Sequence, residues 1–174
     1  CLIIIVFLLY VLYGGKDYQN NYKEKEDSGE IINPTKNSSL EQAVRDFDES
    51  FVYYILYSLK AYNLHPAPFS DEKPKMEFFI GEDIYNVIID EGEILVAKGP
   101  IDEEDVIIQT SKEEAVKMIE DSNYISDSFN SGKSTLILVA GKTELAGKGY
   151  VNLYTGISGK SIAGYPWWCL WQDA

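Results

Sequence analysis

The stretch from Asp105 to Gly156, DVIIQTSKEEAVKMIEDSNYISDSFNSGKSTLILVAGKTELAGKGYVNLYTG, alternates strand and helix patterns with punctuation at each boundary. Val106, Ile107 and Ile108 form a short β-branched run that predicts a strand. Ser111 and Glu114 then have the S-x-x-E spacing of a capping box, which satisfies free amides at the start of a helix. Behind the cap, Ala115, Met118 and Ile119 recur at helical spacing and make one apolar stripe. Ser131-Gly132 interrupts the chain, and Thr135 to Ala140 (TLILVA) reads as a buried strand. Gly141 turns it, and Thr143 opens a last helix carrying Leu145, Tyr150, Leu153 and Tyr154, with Gly156 as its stop. No catalytic signature stands out in this stretch.

Upstream, Ser39 and Gln42 make a second capping box. Leu40, Val44, Phe47, Phe51, Ile55, Leu59 and Tyr62 follow at steps of three and four. This spacing predicts one helix of about six turns, ending near Asn63 before Pro66 and Pro68. Its aromatic positions (Phe47, Phe51, Tyr54) either cover one face of a sheet or line an apolar pocket. Met76 to Ile80, Ile84 to Asp90 and Glu93 to Lys98 are strand-like, and their links at Gly81 to Asp83 and at Glu91-Gly92 are short. Links that short imply an antiparallel meander. Asp102 to Asp105 reads as a solvated acidic loop, since it lacks the Asx and glycine spacing of a calcium loop.

The order of helix, three-strand meander, strand, helix, strand and helix resembles the sterol carrier protein type 2 family. Two segments carry the resemblance. One is Asp105-Val106-Ile107-Ile108-Gln109-Thr110-Ser111 with its acidic capping turn; the other is Phe129 with Ser131-Gly132-Lys133 and the strand after them. Coverage is roughly residues 39–156. The resemblance implies an α+β domain, a mostly antiparallel five-stranded sheet covered by helices, with an apolar tunnel for lipids or acyl chains in some members. On that reading, Phe47, Phe51, Tyr54, Ile55 and Tyr150 are the expected lining of an apolar pocket between the long helix and the sheet. Gly147 and Gly149 stand where the family tends to carry bulky apolar residues, and they are expected to leave a cavity there.

The two ends of the chain differ from this middle. Residues 1–13, CLIIIVFLLYVLY, are unbroken hydrocarbon and aromatic surface. As a helix at about 1.5 Å per residue the run reaches roughly 20 Å, short of a bilayer core of roughly 30 Å. Residues 1–15 are therefore expected to be an apolar anchor or assembly helix, with Leu2, Ile3, Ile4, Ile5, Val6, Phe7, Leu8 and Leu9 facing membrane lipid or sibling subunits. Residues 16–38 read as a polar stalk, closed by the glycosylation sequon Asn37-Ser38-Ser39. Residues 157–174 form a tail in which Trp167, Trp168 and Trp171 make a large apolar surface with polar tips, as at interfaces and membrane boundaries.

Composition narrows the function classes. The 174 residues are one domain's worth plus an arm, and 45% apolar content allows a real core. A formal charge of −13 with no basic patch speaks against nucleic acid. His65 is the single histidine, and Cys1 and Cys169 lie at opposite ends, so no histidine-based triad or metal cluster is nominated. Gly132-Lys133-Ser134 lacks the earlier glycine of a phosphate loop, because position 127 is Asp127. Gly147-x-Gly149 lacks the third glycine of a dinucleotide fingerprint, because position 152 is Asn152. The expectation is a tethered, non-catalytic domain without cofactor or metal, on the extracytoplasmic side of a membrane, binding an apolar small molecule or a protein partner. The alternative is a pilin-like subunit of a cell-surface filament, of archaeal type, a homo-oligomer with the apolar front helix in the filament core.

Overall fold

The computed structural model of the chain describes residues 31–159. Their elements belong to a compact unit that begins at Asn33. In order they are helices α1 (Leu40–Arg45) and α2 (Glu49–Ser58), a single 3-10 turn (Ala61–Asn63), strands β1 (Lys75–Ile80), β2 (Asp83–Asp90), β3 (Glu93–Lys98) and β4 (Val106–Thr110), helices α3 (Lys112–Glu120) and α4 (Tyr124–Asn130), strand β5 (Thr135–Leu138), and helices α5 (Lys142–Gly147) and α6 (Tyr150–Ser158). The anchor expected over 1–15, the stalk before residue 31 and the tryptophan tail lie outside the described residues. Among the described residues, no helix is long and apolar enough to cross a membrane.

The sheet has five strands in the order β3-β2-β1-β4-β5. It is mixed, not mostly antiparallel as expected: β1 and β4 run parallel at its centre, with antiparallel partners outside them. The reason lies in the link from β3 to β4, which crosses the sheet instead of turning beside β3. Glu77 and Asn86 hold that link down, Glu77 Oε1 accepting from the Ile101 amide (3.1 Å) and Asn86 Nδ2 donating to the Gly99 carbonyl (3.0 Å). Register puts Met76 with Val87 and Val106, and Phe78 with Tyr85 and Ile108, so these side chains share one face. That face carries the core, and Phe47 from the helical side lies against it through Tyr85. β5 is an edge strand with alternating exposure, so TLIL is half solvated and not the buried strand expected.

Three helical expectations are corrected. The single long helix is two, because Asp48 leaves the helix in extended conformation and its side chain accepts from the Ser50 amide, capping a new start. The last helix is also two. Gly149 takes φ +88 between α5 and α6, and the second piece runs through Gly156 to Ser158, with Gly159 as its cap. The two glycines expected to leave a cavity do the opposite. A Cβ on Gly147 would lie 3.2 Å from the Ala67 Cβ, so its bareness lets the 63–68 segment pack close. Helix α4 carries no strong periodicity and was not expected; Ser128 and Ile125 are its buried residues.

Both predicted caps form. Ser39 accepts from the Gln42 amide (3.3 Å) and Ser111 from the Glu114 amide (3.2 Å). The return half of the second capping box is replaced. Glu114 instead accepts from Lys117 (2.8 Å), Tyr124 (2.8 Å) and Ser128 (3.1 Å), which ties α4 to α3. Ser128 and Ser134 are also 2.9 Å apart, and Ser134 and Thr110 2.7 Å, so this hydroxyl chain reaches β4. Residues 33–38 are fastened to the domain, with Thr35 bonded to Asn33 Oδ1 and Asn33 Nδ2 donating to the Ile119 carbonyl at 3.5 Å.

Candidate functional site

Two buried places in this domain hold chemistry. The first is the layer between α2 and the sheet. Alternation along β2 sends Tyr85, Val87 and Ile89 to the helical face, and all three are essentially fully buried. From above, the Phe47 and Phe51 rings pack at a tilt with centroids 4.8 Å apart, and the Phe47 ring meets Tyr85 edge-on at 6.1 Å. Val52, Ile55 and Leu56 continue the same buried surface along α2. Burying side chains of this size stabilises by roughly 1.5–3 kcal/mol each. The side-chain hydrogen bonds of α2, Ser58 to the Tyr54 carbonyl and Ser50 to its Asp48 cap, stay within the helix and its cap.

Tyr85 is the exception in that layer. Its hydroxyl is buried with no hydrogen-bond partner among the described residues, while the ring is 0% exposed. Leaving such a donor unmatched costs about 1–3 kcal/mol. Lys98, its cross-strand neighbour, reaches over the ring face with Nζ 5.7 Å from the centroid and does not serve the hydroxyl. Burial pushes the phenol's pKa well above its ordinary value, and the carboxylates of Asp83, Glu49 and Asp48 push it further. Tyr85 is therefore protonated at any physiological pH.

The second place centres on Asp105, which is 1% exposed in the loop expected to be solvated and acidic. Every polar atom of Asp105 is engaged. Oδ1 pairs with Lys148 Nζ at 2.6 Å, and Oδ2 accepts from the Lys75 amide at 2.9 Å and lies 3.0 Å from the Tyr150 hydroxyl. Its own amide donates to the Lys75 carbonyl (2.9 Å), and its carbonyl accepts from the amides of Val139 (2.9 Å) and Ala140 (3.0 Å). One residue thus joins the starts of β1 and β4, the end of β5 and the α5–α6 corner. Burial would lower the pKa of Lys148, but Asp105 and Glu144, the latter at 2.8 Å, outweigh it and hold the ammonium charged. Burial and the Asp105 charge raise the Tyr150 phenol far above its ordinary value. Around this node opens a polar cleft of about 550 Å³, lined by residues that include Asp71, Lys73, Lys75, Glu103, Glu144 and Lys148.

The expected pocket residues divide between the two places. Phe47, Phe51 and Ile55 come together under α2, with Tyr54 half-buried against the same core. Tyr150 belongs by its hydrogen bonds to the Asp105 node. Asn37 is exposed in the turn before α1. Leu2 to Leu9, Trp167, Trp168 and Trp171 lie outside the described residues. Tyr85 was missed, although the period-two pattern of IYNVIID places a tyrosine in register with core residues. Asp105 and Lys148 carried no local signal.

No protein-family model matches the chain, and no curated protein matches it in sequence. Among solved structures the chain is similar to the UbiJ-SCP2 ubiquinone synthesis protein, at 12% identity and TM-score 0.37 over 62% of this chain and 86% of that one. It is similar to palmitated sterol carrier protein 2-like 2 of Aedes aegypti, at 17% identity and TM-score 0.35 over 59% and 94%. It is also similar to sterol carrier protein 2 of Yarrowia lipolytica, at 12% identity and TM-score 0.32 over 70% and 88%. A methyltransferase, MycE of the mycinamycin biosynthetic pathway, is similar as well, at 13% identity and TM-score 0.38 over 76% of this chain and 39% of that one.

Proposed function

We propose that the domain is a non-catalytic binder of apolar molecules, admitted between the α1–α2 arm and the sheet. The observation that carries this reading is the Tyr85 hydroxyl, buried without a partner among the described residues in an otherwise hydrocarbon layer. A fold gains nothing from an unmatched donor in its core. A ligand oxygen entering the layer removes that cost, and a hydrocarbon chain replaces the contacts of Phe47, Phe51 and Ile55. The arm is suited to move, because α2 meets the sheet through apolar side chains and its own hydrogen bonds travel with it. The polar node at Asp105 keeps β1, β4 and β5 in place meanwhile.

The test is native mass spectrometry of the full chain after incubation with phosphatidylcholine vesicles loaded with hexadecane. The reading expects one retained apolar molecule and slowed amide exchange in Glu49–Ser58 and Asp83–Asp90. A chain that retains nothing contradicts it. In the same reading the apolar front of the sequence keeps the domain at a membrane, on the extracytoplasmic side. The exposure of Asn37 supports that side by leaving its sequon open to a glycan. Flotation of the full chain with vesicles, lost on changing Ile5 and Leu8 to Asp, checks the tether.

A further inference from the structure

Resting on the binding reading above, we infer that Tyr85 selects the ligand's polar end, and that this end is a neutral oxygen group, such as an alcohol, and not a carboxylate. The hydroxyl lies in the layer where Phe47 approaches β2, one residue before the Asp48 cap of α2. A phenol that keeps its proton donates to a ligand oxygen and can accept from a ligand hydroxyl in return. An alcohol satisfies both directions, and a hydrocarbon satisfies neither.

The charges around the hydroxyl decide against an anion. Asp83, Glu49 and Asp48 are the carboxylates whose field reaches it. The free amides at the start of α2 do not offset them, because the Asp48 side chain already caps the helix and Glu49 occupies its first turn. Two cations stand nearby. Lys112 is committed to Asp83 at 2.6 Å, and Lys98 sits over the ring face instead of at the oxygen. A buried ligand carboxylate would thus meet the field of Asp48 and Glu49, Asp83 being paired with Lys112.

The experiment uses the full chain incubated with phosphatidylcholine vesicles carrying equal amounts of 1-hexadecanol, hexadecane and hexadecanoate, with retained molecules counted by mass spectrometry. The wild-type chain is expected to retain hexadecanol roughly tenfold over hexadecane, the scale of one recovered hydrogen bond. Hexadecanoate should be retained least of the three at neutral pH. Tyr85→Phe should bring hexadecanol retention down to the level of hexadecane. Glu49→Gln keeps Tyr85 and should raise hexadecanoate retention alone. Equal retention of hexadecane and hexadecanol, unaltered by Tyr85→Phe, overturns the selection by Tyr85 and leaves apolar binding standing. Preferred retention of hexadecanoate overturns the neutral-group assignment. Retention of none of the three overturns both readings.

Discussion

Tyr85 and Tyr150 are both buried phenols, both held far above their ordinary titration range, and their surroundings are opposite. Tyr150 is tied to Asp105 Oδ2 and the Lys75 carbonyl, inside a node where each polar atom of Asp105 has a partner. Tyr85 has none among the described residues, in a layer held by hydrocarbon contact. On the proposed reading, the difference separates a part of the domain that stays closed from one that opens to a ligand. A satisfied network is rigid because breaking any one bond strands another charge. An apolar contact is non-directional and can be exchanged for another apolar surface at little net cost.

Substitutions can break that contrast. The largest effect is expected for Lys148→Met, which leaves Asp105 buried without its counter-charge and should cost about 3–5 kcal/mol in denaturant unfolding. The double variant with Asp105→Asn should recover part of that loss. Because Lys148 is held charged to a pH above its unfolded value, its contribution is complete below about pH 10.4 and lost only as pH rises through the folded value. Wild-type stability should therefore fall more steeply than that of the variant on the strongly alkaline side. Tyr150→Phe removes bonds to a charged acceptor and should cost about 1–3 kcal/mol.

Smaller effects sharpen the contrast. Burial pushes the Glu114 carboxyl up, but hydrogen bonds from Lys117, Tyr124 and Ser128 prevail and hold it low. The stabilisation it gives is complete above an unfolded value of about 4.3 and fades as pH falls through the lower folded value. Glu114→Gln should flatten the acid limb of a stability profile below that point. Tyr85→Phe should be smallest and of opposite sign to Tyr150→Phe: unchanged stability or a gain of up to about 1 kcal/mol without ligand. A loss as large as that of Tyr150→Phe would mean that the Tyr85 hydroxyl is matched after all, and the contrast would fail.

The sequence made the fold more legible than the site. The meander was readable because β-branched and aromatic runs sit between two-to-three-residue links, and β3 runs from Glu93 to Lys98 as expected. The serine caps were readable because capping is local chemistry. The helix break at Asp46 to Asp48 was not, whereas Gly147 and Gly149 marked an interruption of the last helix. A 3.6-residue pattern continues across the first; at Gly149 a φ of +88 marks the break, and the close approach to Ala67 belongs to Gly147. The parallel β1–β4 pairing depended on where one link crosses the sheet, held by Glu77 and Asn86 from distant positions. Phe47, Phe51 and Ile55 announced an apolar face by spacing alone. Asp105 did not announce its burial, since its partner Lys148 is 43 positions away and reads as one more surface lysine.

The most direct measurement is an NMR spectrum of the full chain with 1-13C-hexadecanol, recording intermolecular contacts from the labelled carbon. Contacts to the Tyr85 ring, with the alkyl chain near Phe51 and Ile55, are the expected result. Contacts confined to the Asp105 cleft, or none to the α2 layer at saturating alcohol, would contradict the account.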